Sequence, residues 1–432
     1  MARRLDARAA DFKAQFARLV EGSRQADEDV SRAVAVIIDD VRKHGDAALI
    51  ELSARFDRIT LTKGNIRVTR DEIEGAYREA PSEVNDALHL AASRIEAYHR
   101  RQLPLDESFT DHTGAKLGWR WNAIQAVGLY VPGGTASYPS SVLMNAVPAG
   151  VAGVPRIVMV TPASGGKINP LTLAAAKIAG VSEIYRVGGA QAIAALAYGT
   201  ETITPVDKIV GPGNAYVAAA KRQVFGRVGI DSIAGPSEIL VVADGGNDPG
   251  WIAADLLSQA EHDSSSQSIL ITDDAVFADE VARAVERELE GLERREIASA
   301  SWRDHGAIIV VERLEDSCPL VDAIAPEHLE IAIAEPEALF DRIKNAGAVF
   351  LGRYTPEAIG DYIAGPNHVL PTSRTARFSS GLSVLDFMKR TSVLACDADA
   401  LAKLGTAALN LAEAEGLSAH GRSIAIRLNR SR

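Results

Sequence analysis

Three groups of residues in this chain have the types and spacings that chemistry needs. The first is glycine-rich. Gly133-Gly134, Gly188-Gly189 and Gly211-Pro212-Gly213-Asn214 each follow a short apolar run. Glycine at such a turn lets backbone amides close on a ligand, and the next helix offers its positive end to phosphate. In open α/β sheets ligands collect at the carboxyl ends of strands. The dinucleotide fingerprint is incomplete, because Tyr216 stands where the third glycine of G-x-G-x-x-G belongs, and there is no Walker A segment. A nucleotide site and ordinary strand-to-helix turns both fit these glycines.

The second group could hold a metal. Cys318 and Cys396 are the only cysteines, too few for a disulfide framework or a multi-cysteine zinc site, so any ion must be held by His, Asp, Glu or Gln. Gln259 and His262 end a predicted helix, and at ~100° per residue they lie roughly 60° apart on one face. Asp361 and His420 could complete a nitrogen and oxygen set, although spacing does not select them from the other carboxylates and the nine histidines. No His-Glu-x-x-His occurs, which argues against a zincin protease.

The third group is Ala325-Pro326-Glu327-His328-Leu329-Glu330, a carboxylate and an imidazole side by side before a predicted strand. Neighbours on an extended segment point to opposite faces. On a bent segment both could serve one site, with His328 a base near neutral pH and Glu327 a second base; a solvated turn is the plainer alternative.

The surrounding pattern says what must position these groups. Apolar runs Val127–Val131, Arg156–Thr161, Ile184–Val187 and Lys208–Val210 alternate with Ala-rich helical segments, and the rhythm resumes through Ile239–Val242, Ile269–Thr272, Ala307–Val311, Leu329–Ile333 and Ala348–Leu351. Strand, glycine turn and helix in repetition signify a parallel sheet covered on both faces. The expected fold class is α/β, with two doubly wound, incomplete Rossmann-like parallel-sheet domains plus small N-terminal/β and C-terminal helical elements. The expected division is a helical arm over 1–24, a helical part over 25–105 packing on the second α/β domain, and a small β element over 106–124. A first α/β domain follows over 125–235, a second over 236–380, and a helical tail over 381–432, where Gly405 and Glu415-Gly416 should stress or end helices.

Composition bounds the function. A chain of 432 residues exceeds the ~250–300 at which single cores stop growing. Hydrophobic residues make up 47% and charged residues 24%, as in globular proteins. The net charge of −11 lowers the weight of nucleic-acid binding. The basic start is interrupted by Asp6, Arg8, Asp11 and Lys13, and the most apolar stretch, Val142–Val160, contains Asn145, Pro148, Pro155 and Arg156. Neither a leader nor a membrane helix is expected, and a cytoplasmic protein is.

Taken in order, Gly128–Gly134, Val187–Ala195, Asp207–Asn214, Ala234–Glu238, Gln259–His262, Ala325–Leu329, Gly365–His368, Ser379–Leu382 and Glu415–His420 closely resemble the histidinol dehydrogenase family. The resemblance implies an NAD- and zinc-dependent enzyme, with one Zn²⁺ per subunit held by Gln259, His262, Asp361 and His420. It implies Glu327 and His328 as the acid–base pair, and Tyr130, Gln191 and Asn214 as NAD contacts. Ser237, Glu415 and His328, together with the four zinc ligands, would contact the substrate. The implied reaction takes L-histidinol through L-histidinal to L-histidine with two NAD, at the end of histidine biosynthesis. A homodimer is implied, its C-terminal tail reaching the partner's site, with no nucleic acid and no membrane as partners. Oxidation of another small alcohol, such as a sulfonated diol, stays open within the family. A zinc hydrolase or a two-lobed binding protein stays open on the α/β pattern alone.

Overall fold

The computed structural model describes residues 2–21, 28–133, 138–233 and 235–429. Gly134 of the first glycine turn and Ala234 of the Ala234–Glu238 segment lie outside the described residues. The strands, in chain order, are β1 (Arg3–Asp6), β2 (Glu107–Thr110), β3 (Lys116–Ala123), β4 (Ala126–Tyr130), β5 (Arg156–Val160), β6 (Glu183–Tyr185), β7 (Lys208–Val210), β8 (Gly229–Ile230), β9 (Glu238–Ala243), β10 (Gln267–Thr272), β11 (Ala307–Val310), β12 (His328–Ala332), β13 (Ala348–Leu351) and β14 (Met388–Ala395).

Two parallel sheets carry residues 2–102 and 125–387, which form one compact unit. The first sheet runs β6-β5-β4-β7-β8. Its chain starts in the middle at β4, moves outward through β5 and β6, then returns to β7 on the other side. The strand order therefore reverses between β4 and β7. The second sheet runs β1-β11-β10-β9-β12-β13 and reverses between β9 and β12. Such reversals leave a crevice between the connections that diverge above and below the sheet. Alternation along the second sheet builds two cores. Ile239, Val241, Leu270 and Ile308 face one set of helices; Leu240, Val242, Ile271, Ile309 and Leu329 face the other. The α/β, doubly wound expectation agrees with this topology.

Two elements of this unit differ from expectation. The helices of the 25–105 segment cover mainly the first sheet's helices, and of the second domain helix Ser82–Arg100 meets the 363–365 segment, where Arg94 donates to the carbonyls of Ile363 and Ala364. Helix Glu28–His44 packs on Gly189–Tyr198 and Ala215–Val224, Arg70–Glu79 on Pro170–Ile178, and Ser82–Arg100 on Pro139–Val151. The reason is burial: Ala190 to Ala197 are all buried, a helix apolar on every side, and the Val34, Ile37, Ile38 and Val41 stripe supplies its outer cover. The N-terminal arm is not wholly helical. Residues Arg3–Asp6 add β1 beside β11, and Leu5 and Leu19 enter the second sheet's core. The stretch Val142–Val160 divides between helix Pro139–Val151 and the buried end of β5.

Residues 103–124 and 388–429 form a second compact unit. Its antiparallel sheet runs β14-β3-β2, and helices Ala398–Ala414 and Ser418–Arg427 pack together. The expected β element and helical tail are thus parts of one unit, and the tail itself contributes a strand. Gly405 does not break its helix. A Cβ there would meet Leu428 Cδ1 at 2.6 Å, so glycine admits the neighbouring helix. Gly416, at φ +71°, does follow a helix end. Among the described residues no helix is long and apolar enough to cross a membrane.

Candidate active site

The three glycine turns meet at the carboxyl edge of the first sheet, at its reversal. A Cβ on Gly211 would strike Tyr130 O at 2.2 Å, so the turn after β7 lies against the end of β4. Gly133 and Gly188 both face Pro162, which follows β5; their Cβ atoms would come within 2.8 and 2.6 Å of it. Tyr130 Oη accepts the Gly189 amide at 3.2 Å, leaving its own O–H free to donate. Burial pushes the Tyr130 phenol up to about 12, so it stays protonated. Gln191, buried on helix Gly189–Tyr198, reaches Asp57 Oδ2 from Nε2 at 3.5 Å, and burial raises the Asp57 carboxyl. Asn214 caps helix Ala215–Val224: its Oδ1 accepts from Tyr216 N at 3.1 Å and Val217 N at 3.2 Å. Its Nδ2 has no described partner. All three residues expected beside NAD therefore stand at a strand end, a helix start or a helix cap of this one edge.

The acid–base candidates lie at the amino edge of the second sheet, where β9 and β12 begin. Ala325 is left-handed at φ +48°, and Pro326 follows, so the chain bends just before β12. The bend lets adjacent side chains converge. Both grip the peptide groups of Glu238: its N–H donates to Glu327 Oε2 at 2.9 Å, and its carbonyl lies 3.0 Å from His328 Nδ1. Glu327 Oε2 and His328 Nδ1 are 3.7 Å apart. A carbonyl can only accept, so Nδ1 carries the proton and Nε2 keeps its lone pair. Nε2 is buried and has no hydrogen-bond partner among the described residues. Burial lowers the His328 pKa, opposed chiefly by the Asp361 charge, so the ring is neutral at neutral pH. Burial raises the Glu327 pKa well above the ordinary carboxylate range, and the carboxylates of Glu238, Asp361 and Glu357 add to the rise.

Around Nε2 stand groups suited to a cation. Glu357 Oε1 is 3.5 Å away and Asp361 Oδ1 3.9 Å, both from the short helix Glu357–Tyr362. His328, Glu357 and Asp361 offer ligand atoms within 4.8 Å of one another. Glu357 Oε1 is buried without a hydrogen-bond partner, and burial with the Asp361 charge pushes its carboxyl up to about 9. A nitrogen and two carboxylates, with buried acceptors left unpaired, fit a divalent ion of borderline character. Gln259, 1% exposed, ends 3.1 Å from His328 Nδ1; with the proton on Nδ1, the end of the amide that faces it is the acceptor oxygen. His262 lies just past the end of its helix, not on its face, with its backbone N–H on Gln259 O at 3.2 Å. Burial lowers its pKa while Asp361 pulls the other way, so it too belongs to this neighbourhood.

Of the four expected zinc ligands, Gln259, His262 and Asp361 are gathered about His328. The tight three-residue cluster shares only Asp361 with that set. His420 and Glu415 are exposed in the second unit. Ser237 precedes β9, where its carbonyl accepts from Gln267 N at 2.9 Å. A cleft of about 700 Å³ opens beside His328, with Asp361, His368, Phe350, Tyr98 and Leu382 in its walls.

A family model described as histidinol dehydrogenase matches residues 20–428. A histidinol dehydrogenase of Rhodospirillum rubrum is 66% identical over 428 residues, 99% of each chain. One of Brucella suis is 65% identical over 419 residues, 97% of each. The chain belongs to the histidinol dehydrogenase family. A crystal structure of histidinol dehydrogenase from Elizabethkingia anophelis agrees with TM-score 0.94 at 38% identity, covering 99% of this chain and 98% of that one. Family membership makes the chain an oxidoreductase.

Sequence reasoning missed part of the site. Glu357 stands one helical turn before Asp361, a spacing that was readable as one face but is common on exposed helices. His368 contacts the site through Nδ1, 3.0 Å from Asp361 O, and its Nε2 lies 3.3 Å from Ser141 Oγ. Glu330, two residues after His328, accepts the Glu357 amide at 2.5 Å.

Proposed function

We propose that this chain oxidises L-histidinol to L-histidine through L-histidinal, in two successive NAD-linked steps, with one zinc ion per subunit. The observation that carries the reading is His328: a buried imidazole whose Nδ1 proton is committed to Glu238 O and whose Nε2 lone pair has no hydrogen-bond partner among the described residues. An oxidation of an alcohol needs such a base beside the carbinol. Zinc would be held by Gln259, His262 and Asp361, with His420 supplied by the tail of a second copy in a homodimer. Bound, it would orient the substrate's amine and imidazole nitrogens, while NAD would accept the hydrides.

The chain's own groups divide the proton work. His328 Nε2 removes the alcohol proton in the first oxidation, and its Nδ1 bond to Glu238 steadies the imidazolium that forms. Glu327 draws a proton from the water that adds to the aldehyde. Burial and the neighbouring carboxylates raise the Glu327 pKa, and positive charge standing among these carboxylates would favour its basic form. Ser237 and Glu415 would complete the substrate contacts. Tyr130, Gln191 and Asn214 would bind NAD, and the enzyme would work in the cytoplasm. The walls of the cleft would retain the reactive aldehyde between steps.

The test is NADH absorbance when L-histidinol is added to the zinc-supplied protein. Two NADH per histidinol and growth of a histidine auxotroph on histidinol are expected. Silence with histidinol, with turnover of another small alcohol such as a sulfonated diol, would move the substrate assignment within the family.

A further inference from the structure

We infer that Lys221 and Asp231 are a positioning pair that fixes the cofactor turn; the inference rests on the proposed binding of NAD at this edge. Their side chains, 3% and 5% exposed, form an ion pair inside the protein. Removing two charges from water costs more than their attraction often returns, so a buried pair calls for a use beyond stability. Both partners spend their remaining bonds on a single residue. Asp231 Oδ2 accepts the Gly211 amide at 2.7 Å, and Lys221 Nζ donates to the Gly211 carbonyl at 3.0 Å.

Gly211 is the residue that most needs holding. It sits at φ +109°, pressed against the Tyr130 carbonyl, and Asn214 follows three residues later. Lys221 comes from the helix that Asn214 caps, and Asp231 comes from the end of β8, where its own amide donates to Ile209 O at 3.2 Å. The pair thus ties the turn, the capped helix and the edge strand to one peptide. With both polar groups of Gly211 engaged, what the turn presents outward is Asn214. Lys221 and Asp231 act on the cofactor through Gly211 and Asn214.

The experiment compares two double variants in the full-length zinc enzyme. K221M/D231L removes both charges and both bonds to Gly211 while keeping the volume apolar. Its KM for NAD should rise at least tenfold, with KM for L-histidinol and zinc content unchanged. K221Q/D231N removes the charges but keeps a donor and an acceptor, and should restore KM for NAD to within about threefold of the parent. If K221M/D231L does not fold, K221M/D231N, which drops only the donor, carries the same comparison with a several-fold rise expected. An unchanged KM for NAD, or equal changes for both substrates, overturns the pair's role alone. A parent enzyme that reduces no NAD overturns the proposed function and this inference with it.

Discussion

The two sheets use opposite edges. The first gathers its glycine turns at the carboxyl ends of β4, β6 and β7, where backbone amides, a phenol and two side-chain amides come together. The second gathers Glu238, Glu327 and His328 at the amino ends of β9 and β12. Gln259 arrives there because it ends a helix, so the helix's negative pole also points at this edge and favours a cation. At the first edge the charges of Lys221 and Asp231 are paired with each other. The second is crowded with acids that burial pushes upward, Asp255 to about 6, Glu357 to about 9, and Glu327 and Glu330 well above the usual range. Binding a neutral-to-anionic planar cofactor needs close backbone approach and few competing charges. Moving protons needs side chains held away from their ordinary protonation states. A single crossing of strand order serves both purposes, depending on which edge receives the chemistry.

The largest expected effect breaks the second edge and spares the first. His328→Asn removes the Nε2 lone pair while an amide N–H can still reach Glu238 O. The first oxidation should fall by about 10²–10⁴, the usual range for a lost general base, with NAD affinity unchanged. Steady-state rates on L-histidinol beside NAD titration of the free protein measure both. An equal loss at both would make His328 structural. Glu327→Gln should act more narrowly. Conversion of L-histidinol to L-histidinal should persist, and oxidation of added L-histidinal should drop by a comparable factor. Equal losses in the two steps would cancel the division of labour.

The unequal legibility of the two edges has a physical basis. Glycine turns after apolar runs are local signals, so the first sheet and its edge could be read directly, as could the Val34 to Val41 stripe that covers them. The second edge depends on facts that no local window contains. Glu327 and His328 share a site only because Ala325 turns left-handed and the Glu238 peptide receives both. Asp255, Glu330 and Glu357 look like ordinary helix and strand polarity until burial is known. Strand β1 begins with two arginines and pairs with β11, far along the chain, and β14 is almost wholly exposed, so neither shows the apolar signature of a core strand. The family motifs, by contrast, bring Gln259, His262 and Asp361 forward as candidates where spacing alone could not choose.

A smaller effect concerns pH. Burial holds the folded-state pKa of His328 below the unfolded value near 6.5, and His99, 0% exposed with Nδ1 2.7 Å from Ile95 O, is shifted the same way. These two imidazoles therefore bind more protons in the unfolded chain in the window just below 6.5, and their contribution to stability rises with pH there. The contribution is fully present above pH 6.5 and is lost as pH falls through the folded values. The raised carboxyls of Asp255 and Glu357 act in the opposite sense over the same window, so the imidazole contribution is read as a difference: the unfolding free energy of the parent minus that of a His99→Gln variant, measured between pH 5 and 7.5, should fall as pH drops below about 6.5. The acid limb of kcat/KM for histidinol should also have its midpoint below about 6.5; a midpoint above that value would mean that Nε2 is charged when the base is required.

The smallest effect tests whether the first edge does more than end a helix. Asn214 Oδ1 is spent on capping, and only Nδ2 is left for a ligand. Asn214→Ala should cost about 1 kcal/mol, the typical value of a lost cap, and weaken NAD as well. Asn214→Ser keeps an oxygen for the cap but has no amide nitrogen. Its melting temperature should stay within about 2 °C of the parent, on the usual conversion for a few tenths of a kcal/mol in a chain of this size. Its KM for NAD should rise several-fold, because the missing Nδ2 donor is a ligand group and not a cap group. If Asn214→Ser matches the parent in both, Asn214 is a cap alone, and recognition at this edge rests on Tyr130, Gln191 and the backbone of the turns.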